Sequence, residues 1–243
     1  MIVSYASYEE AWLGFQPFLK SLIAERKASS VCEVGGGANP MLPPDFLAEH
    51  RLTYTVLDVS REELDKAPAG YDKLELDILT PRLPLADTFD LVFSRMVAEH
   101  MRDGALFHRN VRSLLRPGGT AFHYFPTLPA VPFIANKMVA GWFSERLLHL
   151  VQRQREKEGR HGKFPAFYHW CRGPVPRQVK RLERLGYVVD RYVGFFGHSY
   201  YVRIAPLHRA QAAAARFLVR HPVPSLTTYA YVVMRKTSTG HAC

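Results

Sequence analysis

Short apolar runs alternate with amphipathic stretches along most of the chain, the rhythm of a parallel sheet wrapped by helices. The first helix is predicted over 8–26, where Trp12, Phe15, Leu19 and Ile23 fall on one face. Strands follow at 31–34, 53–57, 71–76, 89–93 and 120–125. Between them, Ser60 opens a helix with Glu63 three residues on, a capping-box arrangement. A helix over 103–116 carries Leu106, Val111, Leu114 and Leu115 inward until Pro117-Gly118-Gly119 stops it. Four of these five strands finish at a glycine, a carboxylate or a polar residue. Those are the carboxyl ends, where open α/β sheets bind ligands.

Beyond Phe125 the rhythm changes. Residues 131–158 read as a long helix or helix pair, followed by the aromatic and basic run Lys163 to Arg172. A helix at 176–185, a strand at 187–193, a helical insert at 206–220 and a last strand at 228–234 complete the chain. One domain over 1–243 is therefore expected. It comprises an N-terminal helical cap (1–30), a core (31–126) and inserts at 127–173 and 197–226 on the sheet scaffold.

Composition agrees with that plan. With 243 residues, 47% hydrophobic and 22% charged, the chain can bury a full core and is neither disordered nor fibrous. Cysteines at 32, 171 and 243 make no disulfide framework and no structural zinc spacing. The absence of a leader pattern and of a long apolar run points to a cytoplasmic protein. The net charge of +10 is unevenly spread: residues 1–139 hold 14 basic and 17 acidic side chains, residues 140–243 hold 18 and 5. A general nucleic-acid coat would not leave half the chain acidic.

Chemistry gathers at the strand ends. Val31 to Pro40 places Gly35-Gly36-Gly37 directly after a strand, where a Cβ would obstruct close approach of a ligand to the backbone. Pro40 stands where a dinucleotide fingerprint needs its third glycine, and no Lys-Ser or Lys-Thr makes a P-loop. Asp58 lies 23 residues after Gly35, the right distance for a carboxylate on a ribose, and Asp77-Ile78 closes the third strand. Taken singly, such a turn is a simple turn and such an Asp a helix cap. In this order, with Phe89 to Ser94 and Leu115 to Gly119, the set resembles the class I S-adenosylmethionine-dependent methyltransferases.

The resemblance implies a Rossmann-like, seven-stranded, mostly parallel sheet with helices on both faces and inserted helical lid segments. It assigns S-adenosylmethionine to Glu33, Gly35, Gly36, Gly37, Asp58, Asp77, Ile78 and Ser94. Two departures stand out. Asn39-Pro40 replaces the usual third glycine, and Ser94-Arg95-Met96 replaces the pattern of enzymes that methylate nucleobase amines.

A hydroxyl must lose a proton as it attacks, so a base or a metal is expected, and Glu99-His100 follows the fourth strand. His100 is the candidate base, unless it merely packs the following helix. Some O-methyltransferases hold a divalent metal with Glu-x-x-Glu-His and a distant His. Glu99 and His100 match the last two positions, Met96 occupies the first, and His169 or His161 would supply the fourth, giving a Mg²⁺-type site. Tyr168, Trp170 and Arg172 suit a sugar or single-stranded nucleic acid. Alternatively, Phe164, Phe167 and Trp170 close the core. The wording around Lys163 to Pro174 resembles bacterial methyltransferases of polysaccharide and glycolipid assembly, which implies O-methylation of a sugar hydroxyl in an anionic or lipid-linked acceptor. A small aromatic or polyketide-like acceptor and an RNA-binding module are the alternatives. Residues 131–151 read as a lid or as a membrane-surface face.

Overall fold

A computed structural model describes residues 1–127, 165–198 and 205–237. Eight strands form one sheet: β1 (Ile2–Ser7), β2 (Ser30–Val34), β3 (Thr53–Asp58), β4 (Asp72–Glu75), β5 (Phe89–Arg95), β6 (Leu115–Pro126), β7 (Tyr187–Phe196) and β8 (Tyr229–Lys236). Their order is β1-β7-β8-β6-β5-β2-β3-β4. Strand β8 runs antiparallel to both neighbours, and every other pairing is parallel. This is the expected doubly wound sheet with an eighth strand added to the expected seven.

The extra strand corrects the reading of 1–30 as wholly helical. Ile2 to Ser7 pairs in parallel with β7, from Arg191 to Phe196, before the chain turns into helix. The predicted first helix is also two, α1 (Tyr8–Leu13) and α2 (Phe15–Arg26), divided at Gly14. That break rotates Trp12 out of the buried face, leaving it 55% exposed, while Phe15, Leu19, Leu22 and Ile23 stay inside.

Helices α3 (Pro44–His50), α4 (Arg61–Lys66), α5 (Gly104–Leu114), α6 (Pro176–Arg184) and α7 (Ala205–Arg220) complete the described fold. Ser60 accepts the Glu63 amide at the start of α4, and Asp103 accepts that of Leu106 at the start of α5, so both predicted N-termini are capped by side chains. The two sheet faces carry separate cores. Phe107, Val111 and Leu114 of α5 pack with Val179 and Leu182 of α6 on one face. On the other, the Phe15 ring lies within 5.0 to 6.2 Å of Phe93, Phe122, Tyr124 and Tyr231. The predicted helix at 131–158 lies outside the described residues. Nearby, 165–172 is irregular, with a turn at His169-Trp170 and left-handed backbone at Tyr168 (φ 53°) and Trp170 (φ 67°).

Phe15 is the aromatic hub that pins α2 to the sheet. Phe15→Ala is expected to destabilise the fold by about 3–5 kcal/mol, read as a lowered urea midpoint at unchanged slope.

Candidate active site

Strands β2 and β5 are neighbours, and the chain leaves them toward opposite sides of the sheet, which opens a crevice at their carboxyl ends. Gly35 begins the turn after β2 with φ 77°, and its amide donates to the Leu57 carbonyl at 2.7 Å. A Cβ on Gly35 would stand 2.5 Å from Cγ2 of Val97, beyond the end of β5. The glycine turn and the segment after β5 are therefore in direct contact. Met96 makes the bend, with φ 56° and its amide donating to Tyr124 O at 2.8 Å.

Glu33 organises the loop from beneath. Its carboxyl, 4% exposed, accepts from the Met41 amide at 2.9 Å and from the Tyr54 hydroxyl. Burial pushes it up to about 7 from an ordinary 4.5, and the Tyr54 and Met41 hydrogen bonds oppose part of that rise. The stiff Asn39-Pro40 stretch closes as a turn, with Asn39 N donating to Gly36 O at 3.0 Å.

Asp58 ends β3 facing the turn. One carboxylate oxygen accepts the Ser60 amide at 2.9 Å, and the other lies 3.3 Å from where a Gly37 Cβ would be. Asp77 is exposed beyond β4, its Oδ1 accepting the Leu79 amide at 2.8 Å, while Ile78 is buried beside it. An exposed glycine, an open backbone bend and two carboxylates at adjacent strand ends fit a cofactor with an amino-acid end, a ribose and a base. Ser94 does not belong to this group. It is wholly buried, and its hydroxyl is taken up by Nδ1 of His123 at 2.8 Å, so it serves the sheet interior.

A 3-10 turn, Ala98–His100, carries the predicted catalytic pair. Nδ1 of His100 faces the Pro165 carbonyl at 3.1 Å. A carbonyl only accepts, so Nδ1 holds the hydrogen in the neutral ring and Nε2 is the basic nitrogen, 3.8 Å from Glu99 Oε1. The Glu99 side chain is buried, and among the described residues its Oε2 has no hydrogen-bond partner. Burial pushes Glu99 up to about 8, which leaves it largely neutral at pH 7.

The predicted metal ligands do not converge. His169 Nδ1 accepts the Gly104 amide at 3.1 Å, capping α5, so its neutral ring has its hydrogen on Nε2 and no lone pair left over. No group of three His, Cys, Asp or Glu suited to a metal occurs among the described residues, and His161 lies outside them. Mg²⁺ is not supported.

The acceptor residues also need correction. Tyr168 is buried in the core, its amide and that of Phe167 both donating to the Glu99 carbonyl. Arg172 turns back on its own segment, donating to Tyr168 O and Cys171 O, while its carbonyl accepts from Tyr192. Trp170 packs between His108, at 6.0 Å between rings, and the Arg181 guanidinium, 5.7 Å from its ring. Core closure thus accounts for Tyr168, Arg172 and most of Trp170. Phe167, 44% exposed, keeps an open ring, and Phe164 lies outside the described residues.

A doubly wound sheet with a glycine turn, two acidic strand ends and a crevice between β2 and β5 defines the S-adenosylmethionine-dependent methyltransferase class. The family described as "Methyltransferase domain" matches residues 10–189, and the chain belongs to it. No curated protein sequence matches the chain. Among solved structures it is similar to an S-adenosylmethionine-dependent methyltransferase from Mesorhizobium loti, with TM-score 0.51 and 18% identity over 90% of this chain and 96% of that one. It is likewise similar to a SAM-dependent methyltransferase from Archaeoglobus fulgidus, with TM-score 0.53 and 14% identity over 94% and 98%. A third is phosphoethanolamine N-methyltransferase 2 of Haemonchus contortus, with TM-score 0.52 and 14% identity over 90% of this chain and 53% of that one. At these identities the likeness is one of fold.

Burial of Glu99 has a pH consequence. Because its folded pKa of about 8 exceeds the ordinary 4.5, the folded state holds a proton that the unfolded state releases, and stability falls as pH rises between those values. Glu99→Gln, which keeps the shape without the charge, is expected to flatten the decline of the urea midpoint between pH 5 and 8.

Proposed function

We propose that the chain methylates a hydroxyl oxygen, the acceptor being a sugar of an oligosaccharide or glycolipid precursor. The observation that carries the O-methylation reading is His100: a basic nitrogen on the turn that directly follows Val97, the residue packed against Gly35. Bound S-adenosylmethionine supplies a methyl group already activated on a sulfonium. Gly35 and Gly37 would take its amino-acid end, Asp58 the ribose hydroxyls, and Asp77 with Ile78 the adenine, with Glu33 holding the loop in shape.

The chain's own work is then alignment and proton management. An acceptor hydroxyl in line with the methyl presents its proton to Nε2 of His100, while the Pro165 carbonyl fixes the ring and its tautomer. Glu99, buried and largely neutral, stands 3.8 Å from Nε2, where a protonated ring would meet its carboxyl. A sugar acceptor bearing phosphate is supported by the excess of 18 basic over 5 acidic side chains in residues 140–243. Phe167 offers the exposed aromatic surface of this edge.

Two measurements test the reading. Asp58→Ala is expected to weaken binding of S-adenosylhomocysteine about ten- to hundredfold by isothermal titration, the loss of charge-assisted hydrogen bonds. His100→Ala should lower kcat about 10²- to 10⁴-fold while leaving that affinity unchanged. Transfer of a labelled methyl group to glycan, phenolic and RNA acceptors in parallel identifies the acceptor, and labelling confined to phenolic or RNA acceptors overturns the sugar assignment.

A further inference from the structure

Helix α7 is amphipathic in an unusual sense: none of its sixteen residues is buried. It leans on β1 and β7 through a narrow inner face, where the absence of a side chain at Gly197 admits Gln211 and Ala215 closely. With 3.6 residues per turn, Leu207, Ala210, Ala214 and Phe217 form one stripe on the outer face, and Arg209, Arg216 and Arg220 form a second stripe along its border. Phe217 is 61% exposed and Leu207 42%. Val223 and Leu226, in the segment that follows, are exposed as well, so four large apolar side chains stand in solvent within residues 207–226. Soluble proteins scatter such residues singly, and a cluster marks a contact surface.

Charge selects the occupant. Asp190 is the last acidic residue of the chain, and residues 191–243 hold seven Lys or Arg and no Asp or Glu. At the start of β7, against which α7 leans, the arginines are paired: Arg26 and Arg235 with Asp190, and Arg191 with Glu25. Among the described residues Arg209, Arg216 and Arg220 form no salt bridge. Open guanidinium groups bordering an exposed apolar stripe, on a helix about 24 Å long lying along the surface, match the headgroup layer of an anionic bilayer, with phosphate beside acyl chain. A second copy of the chain would bring the same positive charge to the contact and be repelled.

We propose that α7 is a membrane-surface helix that docks the enzyme on anionic lipid, with Leu207 and Phe217 entering the acyl boundary and Arg209, Arg216 and Arg220 on the phosphates. No helix among the described residues is long and apolar enough to cross a membrane, so the contact is peripheral. The site is separate from the methyl-transfer crevice and stands whether or not the acceptor is lipid-linked.

The experiment is flotation of the full chain with phosphatidylcholine vesicles containing phosphatidylglycerol, compared with vesicles of phosphatidylcholine alone. Binding is expected only to the anionic vesicles and should fall steeply with added salt. The R209E/R216E/R220E variant should bind about a hundredfold more weakly or worse. Phe217→Ser, at an exposed position, should weaken binding severalfold with an unchanged thermal midpoint. In Phe217→Trp, emission should shift to the blue on adding anionic vesicles. Absence of flotation, equal binding to neutral vesicles, or binding unaffected by charge reversal in folded protein overturns the proposal. So does concentration-dependent dimerisation through Phe217, or capture of single-stranded RNA by these arginines, when anionic vesicles are ignored. S-adenosylhomocysteine affinity measured on the same samples is expected to be unchanged, which separates failure here from failure of the methyltransferase site.

Discussion

The contact between Gly35 and Val97 is the constraint on which the site turns. Two chain segments leaving neighbouring parallel strands must diverge, yet both must border one crevice. They can do so only if the first residue after β2 has no side chain and a left-handed φ, which Gly35 supplies, and if β5 ends in an abrupt bend, which Met96 supplies at φ 56°. Left-handed backbone at a methionine is costly and persists because its amide is held by Tyr124 in β6. Local strain at the end of β5 is thus stabilised by the sheet, and its effect is to deliver Ala98–His100 beside the glycine turn.

Two buried acids sit on either side of this contact, and each has a different fate. Glu33 receives both Met41 and Tyr54 on Oε2 and so ties the loop after the glycines to β3. Glu99 keeps an oxygen without a partner among the described residues, and its main-chain carbonyl fastens Phe167 and Tyr168. The segment from Pro165 to Arg172 is consequently a structural clasp. Through His169 it caps α5, through Pro165 it orients His100, and through Arg172 and Tyr192 it reaches β7. Thr127, the last described residue of the preceding stretch, is held by Thr227 and Thr228 just before β8. Both flanks of residues 128–164 are therefore hydrogen bonded to the sheet framework.

The parts of this architecture governed by local chemistry were readable in the sequence. Strands β2 to β8 show as apolar runs bounded by turn residues, and the starts of α4 and α5 show in Ser60 and Asp103, because these signals lie within a few residues of the element they define. Strand β1 escaped because its partner is β7, some 190 residues away, and an edge strand carries little apolar alternation: Ile2 and Val3 are exposed. Helix α3 carries a local signal of its own, Pro44 and Asp45 in a first turn after Pro43. The positions of Gly35, Asp58 and Asp77 at or just beyond the ends of β2, β3 and β4 were legible because apolar runs mark where those strands stop. Ser94, Tyr168 and Arg172 lie away from the crevice surface expected of them because residue type alone does not reveal which way a side chain points. Ser94 faces His123, and Arg172 spends its donors on its own loop. His169 illustrates the same limit, since a ring able to bind metal is equally able to accept an orphan helix amide.

Charge counting sharpens in the same way once position is known. The acidic first half is less negative than its 17 carboxylates imply, because Glu33 and Glu99 are pushed up to about 7 and about 8 by burial. Of the remainder, Asp90 is held below its ordinary value, against the effect of burial, by Ser29, Ser30 and Arg116, so its charge is spent inside the fold. The basic half divides similarly, since Arg26 from the first half and Arg235 from the second share Asp190. What remains is positional: exposed carboxylates near the cofactor edge, and arginines along α7 with no acidic residue near them in the chain. A field of that shape attracts a cation to one edge and a polyanionic surface to another. On the proposals above, a methyl donor with a cationic sulfonium and ammonium and an anionic membrane surface approach different faces of the same small domain without competing for one site.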